Sequence, residues 1–227
     1  MELVLLHALP FDGAMWHRQM DFVPGRTHAP TLYGLGPTLT DWARGVLGRV
    51  AGPRLVVVGN SIGGACALEM ARLAPERVAA LVLVGAKAGH RPAPRLRDAA
   101  LATLRREGRD AAWVRYWAPL FAASAGTATL SAAKRLAGRP SMAEFAIGVR
   151  AFHARDDRRA LLPALRCSVI GVSGRRDPSP GPATMRKEAT AAQDGRLIVV
   201  PACGHYVPLE RPQAFNALLR AVLERLA

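Results

Sequence analysis

The chain has 227 residues, 50% of them apolar, which suffices for one well-buried core and is too few for two comfortable domains. Its apolar runs fall far short of the roughly 20 residues needed to cross a bilayer, which excludes a membrane-spanning function. The formal charge of +14 raises an anionic macromolecular partner, but Lys87, Lys134 and Lys187 are the only lysines among 31 basic residues, and the arginines are scattered without interleaved aromatics.

That arginine usage fits a compositional bias better than a nucleic-acid surface. The best candidate for a real patch is the cluster Arg91, Arg95, Arg97, Arg105, Arg106 and Arg109, which equally describes the solvated face of a helix. Cys66, Cys167 and Cys203 lie far apart with no C-x-x-C spacing, arguing against a zinc site and a disulfide framework and fitting a reducing cytoplasm.

Residues 3–6 read as a buried first strand, not a signal peptide, because no basic leader precedes them and His7, Pro10 and Asp12 soon interrupt the apolar run. A turn at 10–13 leads to a helix through Trp16 and Met20, and a second short strand is expected to end near Thr31. Thr38 and Asp41 have the spacing of a helix cap, with the helix running toward Val50. Residues 54–58 form the next strand. Ile62, Cys66, Met70 and Leu73 then recur at helical spacing up to Pro75, and 78–84 is a run of β-branched and aliphatic residues, completing a βαβ unit.

From 87 to 161 strand-like runs disappear, and alanine-rich helical stretches are broken at Gly108, Pro119, Gly126 and Pro140. Alternation resumes with a strand at 169–172, a helix over 182–192, a strand at 197–200 and an amphipathic C-terminal helix through Phe215, Leu219, Val222 and Leu226. The expected organisation is an α/β core over 1–86 and 162–227, with a mostly parallel sheet covered by helices, and an inserted helical segment over 87–161.

Between the strand at 54–58 and the next helix lies Gly59-Asn60-Ser61-Ile62-Gly63-Gly64. Such a G-x-S-x-G turn forces its serine into a strained conformation that exposes Oγ, and the small flanking residues let strand and helix cross closely. Gly59 and Gly64 also have P-loop spacing, but Ala65-Cys66 follows instead of Lys-Ser/Thr. The dinucleotide fingerprint fails because position 61 is serine. No cofactor is therefore expected.

Ligands and catalytic groups gather beyond the C-terminal ends of parallel strands. Asp177 follows the strand at 169–172, His205 follows that at 197–200, and the turn His7-Ala8-Leu9-Pro10 follows the first. A serine needs a base to take its proton and a carboxylate to orient that base. The order Ser61, Asp177, His205 supplies all three. Asp177 could instead satisfy turn amides or pair with Arg176, and His205 could be an ordinary buried histidine. Asp156 and Asp157 are alternative acids in an arginine-rich, solvated stretch. His7, His17, His28, His90 and His153 show no metal-ligand spacing, so no metal is expected.

Leu-His-Ala-Leu-Pro at 6–10, Gly-Asn-Ser-Ile-Gly-Gly at 59–64, Gly-Arg-Arg-Asp at 174–177 and Gly-His-Tyr-Val-Pro-Leu-Glu-Arg-Pro-Gln-Ala-Phe at 204–215 together resemble the α/β-hydrolase superfamily across nearly the whole chain. The resemblance implies a Ser61–Asp177–His205 triad, an oxyanion hole from the backbone amides of Ile62 and Leu9, and a cap over 87–161. The chain departs from the family at Ala8, where His-Gly is usual. It departs again in 31–38, which resembles the D-x-P-G-x-G-x-S loop without its aspartate. It opens at what resembles the third of the family's usual eight strands, implying a reduced sheet edge.

The resemblance implies acyl transfer to water on an ester, lactone or thioester, and an aromatic stripe at 113–121 roofing the pocket would make the substrate small and apolar. Serine at 61 disfavours the relatives that use aspartate there, the epoxide hydrolases and haloalkane dehalogenases. Trp113, Tyr116, Trp117 and Phe121 follow helical spacing; Trp113, Trp117, Phe121 and His153 are the expected pocket residues. Carbon–carbon bond hydrolases of ring-fission dienoates share the Gly-Asn-Ser-x-Gly-Gly string and are one alternative. A non-catalytic ligand-binding protein on the same fold is the other. Oligomeric state is not encoded in any pattern found.

Overall fold

A computed structural model describes residues 1–226 of the protein. In chain order, strand β1 (Glu2–Leu6) precedes a single 3-10 turn at Gly13–Trp16, and strand β2 (Thr27–His28) precedes helix α1 (Leu39–Leu47). Strand β3 (Leu55–Asn60), helix α2 (Ile62–Leu73) and strand β4 (Val78–Val84) form the expected βαβ unit. Four α-helices follow before the next strand, with shorter π and 3-10 turns between and after them: α3 (Pro94–Arg106), α4 (Gly108–Ala112), α5 (Thr127–Ala137) and α6 (Met142–Ala154). Strand β5 (Ser168–Gly174), helix α7 (Gly181–Ala189), strand β6 (Gly195–Val200), the short helix α8 (Val207–Glu210) and helix α9 (Pro212–Leu226) complete the order.

All six strands pair in parallel in the order β2-β1-β3-β4-β5-β6. Parallel strands covered on both faces need continuous apolar sequence, and β3 is buried along its whole length. Helix α2 packs on β3 and β4, and α7 on β5 and β6. From β1 the chain moves to one edge as β2, then returns to the other side of β1 as β3 and continues outward. The reversal opens a crevice beyond the C-terminal ends of β1 and β3, the place where open α/β sheets bind ligands.

Local chemistry sets the element ends. Thr38 and Asp41 form the reciprocal capping box, and α1 stops at Leu47, short of Val50, with Gly48 as its C-cap. The expected helix through Trp16 and Met20 is only the turn at Gly13–Trp16, started by Asp12 accepting from the Ala14 amide. Strand β2 ends at His28, two residues before Pro30, which has no amide to donate to a ladder. Helix α7 closes at Ala189, where the Thr190 hydroxyl turns back onto the Arg186 carbonyl.

Candidate active site

Ser61 stands between the end of β3 and the start of α2 with φ 56° and ψ −117°, outside the regions that L-residues favour. The glycines around it are required by close approach. A Cβ at Gly59 would lie 2.3 Å from the Gly63 carbonyl carbon, and one at Gly63 would lie 2.2 Å from the Leu6 oxygen. The Ser61 amide donates to the Val84 carbonyl at 2.8 Å, fixing the turn to β4. Its side chain makes no capping hydrogen bond to α2, so the hydroxyl is not used by the helix it precedes.

His205 is buried, and its Nδ1 lies 3.1 Å from both carboxylate oxygens of Asp177. Asp177 also accepts from the Ser179 amide at 2.9 Å, and among the described residues it pairs with His205 and not with Arg176. An Nδ1–H held by a carboxylate leaves Nε2 as the basic nitrogen. The ring packs edge-on to Tyr206 and against Gly85, where φ is +52° and an added Cβ would lie 2.8 Å from Nδ1.

The loop carrying His205 is fastened from several sides. Its own amide donates to the Leu120 carbonyl at 2.9 Å, and Asn60 Nδ2 donates to the His205 carbonyl at 3.3 Å and to that of Val84 at 2.9 Å. Buried Glu210 accepts from the amides of Ala122 and Gly204, each at 3.0 Å, and from Tyr206 at 3.4 Å. Residues 120–122, between β4 and β5, are thereby tied to the histidine loop.

Beyond β1, His7 is wholly buried; its Nε2 accepts from the Leu32 amide at 2.9 Å while Nδ1 donates to the Ala8 carbonyl at 3.2 Å. Burial takes its pKa down to about 4, so the ring is neutral and this tautomer serves both bonds. Tyr206 donates its hydroxyl to the Leu9 carbonyl at 3.0 Å. Ala8 does not adopt a positive φ, so replacing the family's glycine there carries no conformational cost. Ile62 is the first residue of α2, and its amide is one of the helix N-terminal donors that lack an intrahelical acceptor.

Ser61, His205 and Leu9 line one cavity of ≈ 280 Å³, with Leu96, Ala100, Tyr116, Trp117, Val149 and Phe152 among its apolar walls. Trp117 and His153 are on that wall, but Trp113 and Phe121 are not. The two stack on each other with centroids 5.9 Å apart, and Phe121 packs on Tyr206 at 4.7 Å. The cause is a π-helical turn at Trp113–Trp117, closed by the Ala118 amide donating to the Trp113 carbonyl five residues back. The wider turn, followed by a 3-10 turn at Ala118–Leu120 that leaves Phe121 extended, takes residues 113, 117 and 121 off a common face.

Asp156 and Asp157 are held by Arg158 and Arg159 and stand apart from His205. Arg97 pairs with Asp98, and Arg109 donates to the carbonyls of Gly138 and Pro140 beyond α5, so two members of the arginine cluster have local partners. Among the described residues no group of three or more His, Cys, Asp or Glu could hold a metal ion, and no helix is long and apolar enough to cross a membrane.

A doubly wound parallel sheet with a strained serine at its switch point and a buried His–Asp pair across the same crevice defines a hydrolase-type α/β fold. The model of the alpha/beta hydrolase family matches residues 3–218, and the chain belongs to that family. It is 37% identical over 92 residues to a pimeloyl-[acyl-carrier protein] methyl ester esterase of Aromatoleum aromaticum, a match covering 37% of this chain and 36% of that protein. It is 33% identical over 93 residues to the lipase LipV of Mycobacterium tuberculosis, covering 36% of each. Both matches thus span about a third of the relatives' length. In structure it resembles a thermophilic esterase from Thermogutta terrifontis, with TM-score 0.90, 24% identity and coverage of 99% of this chain and 90% of that one. The enol-lactonase from Burkholderia xenovorans gives TM-score 0.83, 22% identity and coverage of 98% and 90%. These structural likenesses show the fold.

Residues that support the site were not singled out from the sequence. Glu210 was visible as a lone acid within the motif that follows His205, and His7 as a histidine closing an apolar strand. Asn60, Gly85 and Tyr206 carried no sequence signal that distinguishes a brace from a neighbour.

Proposed function

We propose that the protein is a serine hydrolase that cleaves a carboxylic ester, lactone or thioester through an acyl-enzyme on Ser61. The observation that carries this reading is the strained Ser61 facing the same cavity as a buried His205 whose Nδ1 is held by both oxygens of Asp177. The names of the partial relatives, an esterase and a lipase, support ester hydrolysis as the reaction.

In this mechanism His205 Nε2 takes the Ser61 proton as Oγ attacks the substrate carbonyl, and Asp177 stabilises the imidazolium that forms. The amides of Ile62 and Leu9 receive the oxyanion, the first aided by the positive end of α2. His205 then protonates the leaving group, and a water activated by the same ring releases the acid. Residues 87–161 serve as a cap that supplies Leu96, Tyr116, Trp117, Phe152 and His153 to the cavity wall.

Turnover of a panel of p-nitrophenyl esters and simple lactones by the wild type and by Ser61→Ala tests the reading. Activity that disappears in the variant is expected. A folded wild type that turns over nothing in the panel would redirect attention to ring-fission dienoates or to ligand binding.

A further inference from the structure

The arginines near the cavity differ in what holds them. Arg158 is paired with Glu69 and Asp156, and Arg159 with Asp157. Arg155, which directly follows α6, lines the same cavity as Ser61, yet among the described residues it has no carboxylate partner within salt-bridge distance. One donor, Nη1, reaches the Phe152 carbonyl at the end of the helix, and the guanidinium carbon lies 3.9 Å from the centroid of the Phe152 ring.

That arrangement fixes the group and leaves Nε and Nη2 without a protein acceptor. These two nitrogens form the side-on edge of a guanidinium, whose parallel N–H groups match two oxygens of a carboxylate or phosphate. Burial draws the Arg155 pKa down to about 10, still charged at neutral pH. Glu188, the acid that acts on it from a distance, already accepts from the amides of Ala88 and Gly89. Lys87 lines the cavity too, again without an ion pair among the described residues. The nearby acids Asp98 and Asp157 are matched to Arg97 and Arg159. His90 and His153, both with lowered pKa from burial and from Arg155, add no negative charge.

A partly desolvated cation with no counter-ion is costly, and the cost is offset when a ligand brings the opposite charge. We infer that Arg155, assisted by Lys87, is an anion subsite of this cavity, so that the molecule accepted there is an apolar ester bearing a carboxylate or a phosphate apart from the bond to be cleaved. That the molecule is an ester rests on the hydrolase reading above; the anion subsite stands on the geometry of Arg155.

The test is kcat/KM on pairs matched in size and differing in charge: monoethyl adipate against ethyl hexanoate, and para-acetoxybenzoate against its methyl ester. The anionic member should be favoured by about tenfold or more. In Arg155→Gln the ratio should fall toward one, chiefly through KM, and Arg155→Lys should restore part of it. Competition by adipate with none by inorganic phosphate identifies a carboxylate as the anion; the opposite result identifies a phosphate. Calorimetric titration of monoethyl adipate and ethyl hexanoate into Ser61→Ala separates the two claims. If no ester is cleaved but the anion binds and Arg155→Gln removes that binding, the hydrolase reading fails and the subsite holds. Equal use of both members of each pair, or a ratio that Arg155→Gln leaves unchanged, would overturn the subsite.

Discussion

Replacing Glu210 should loosen the protein and the histidine loop together. The residue is 5% exposed, and its carboxylate receives three backbone amides, two of them at 3.0 Å. Glu210→Ala leaves those donors buried without an acceptor. At about 1–3 kcal/mol for each of the two well-formed bonds, the loss is about 2–6 kcal/mol, a large part of the roughly 5–15 kcal/mol that holds a domain folded. The Ala122 and Gly204 amides both point at Oε2, so Glu210→Gln, with its amide oxygen there, keeps both acceptor contacts. Its NH2 would then oppose the weaker Tyr206 donor, and the cost should be about 1–2 kcal/mol. Urea unfolding followed by tryptophan fluorescence, with linear extrapolation for both variants, gives the comparison. The alanine variant should also lose turnover, because the amide of His205, next to Gly204, is bonded to the segment that Glu210 holds. A loss under about 1 kcal/mol in Glu210→Ala, with unchanged turnover, would refute the bracing role.

Two further outcomes follow from particular residues. Gly85→Ala places a Cβ 2.8 Å from His205 Nδ1 at a φ of +52°, so turnover of simple esters should drop sharply with little change in KM; an unaltered kcat in the folded variant would contradict the packing. His7 binds its proton near 6.5 in an unfolded chain and only at about 4 in the fold, so between these values the unfolded state carries more protons and stability rises with pH. The contribution is complete above about pH 6.5 and falls by about 3 kcal/mol as pH drops to about 4; denaturation series at stepped pH should show this slope, and His7→Gln should flatten it.

The sheet was legible because fully buried parallel strands demand unbroken apolar runs, and 55–58 and 78–84 have them. The Ser61 turn was legible because the spacing of Gly59 and Gly63 around the serine answers a steric need of the strand-to-helix crossing. The aromatic stripe misled at Trp113 and Phe121, since a π-turn depends on tertiary packing that an i, i+4 pattern does not encode. Arg155 was invisible as well. In an arginine-rich stretch, only the positions of Asp156, Asp157 and Glu69 reveal which guanidinium lacks a partner.

Covalent trapping tests the central claim most directly. After treatment with a fluorophosphonate, the intact mass of the wild type should rise by a single adduct, and peptide mapping should place it on Ser61. Labelling should be absent in Ser61→Ala and greatly slowed in His205→Ala, which removes the base proposed to activate the hydroxyl. An adduct on another residue, or labelling that persists at the same rate without His205, would contradict the triad.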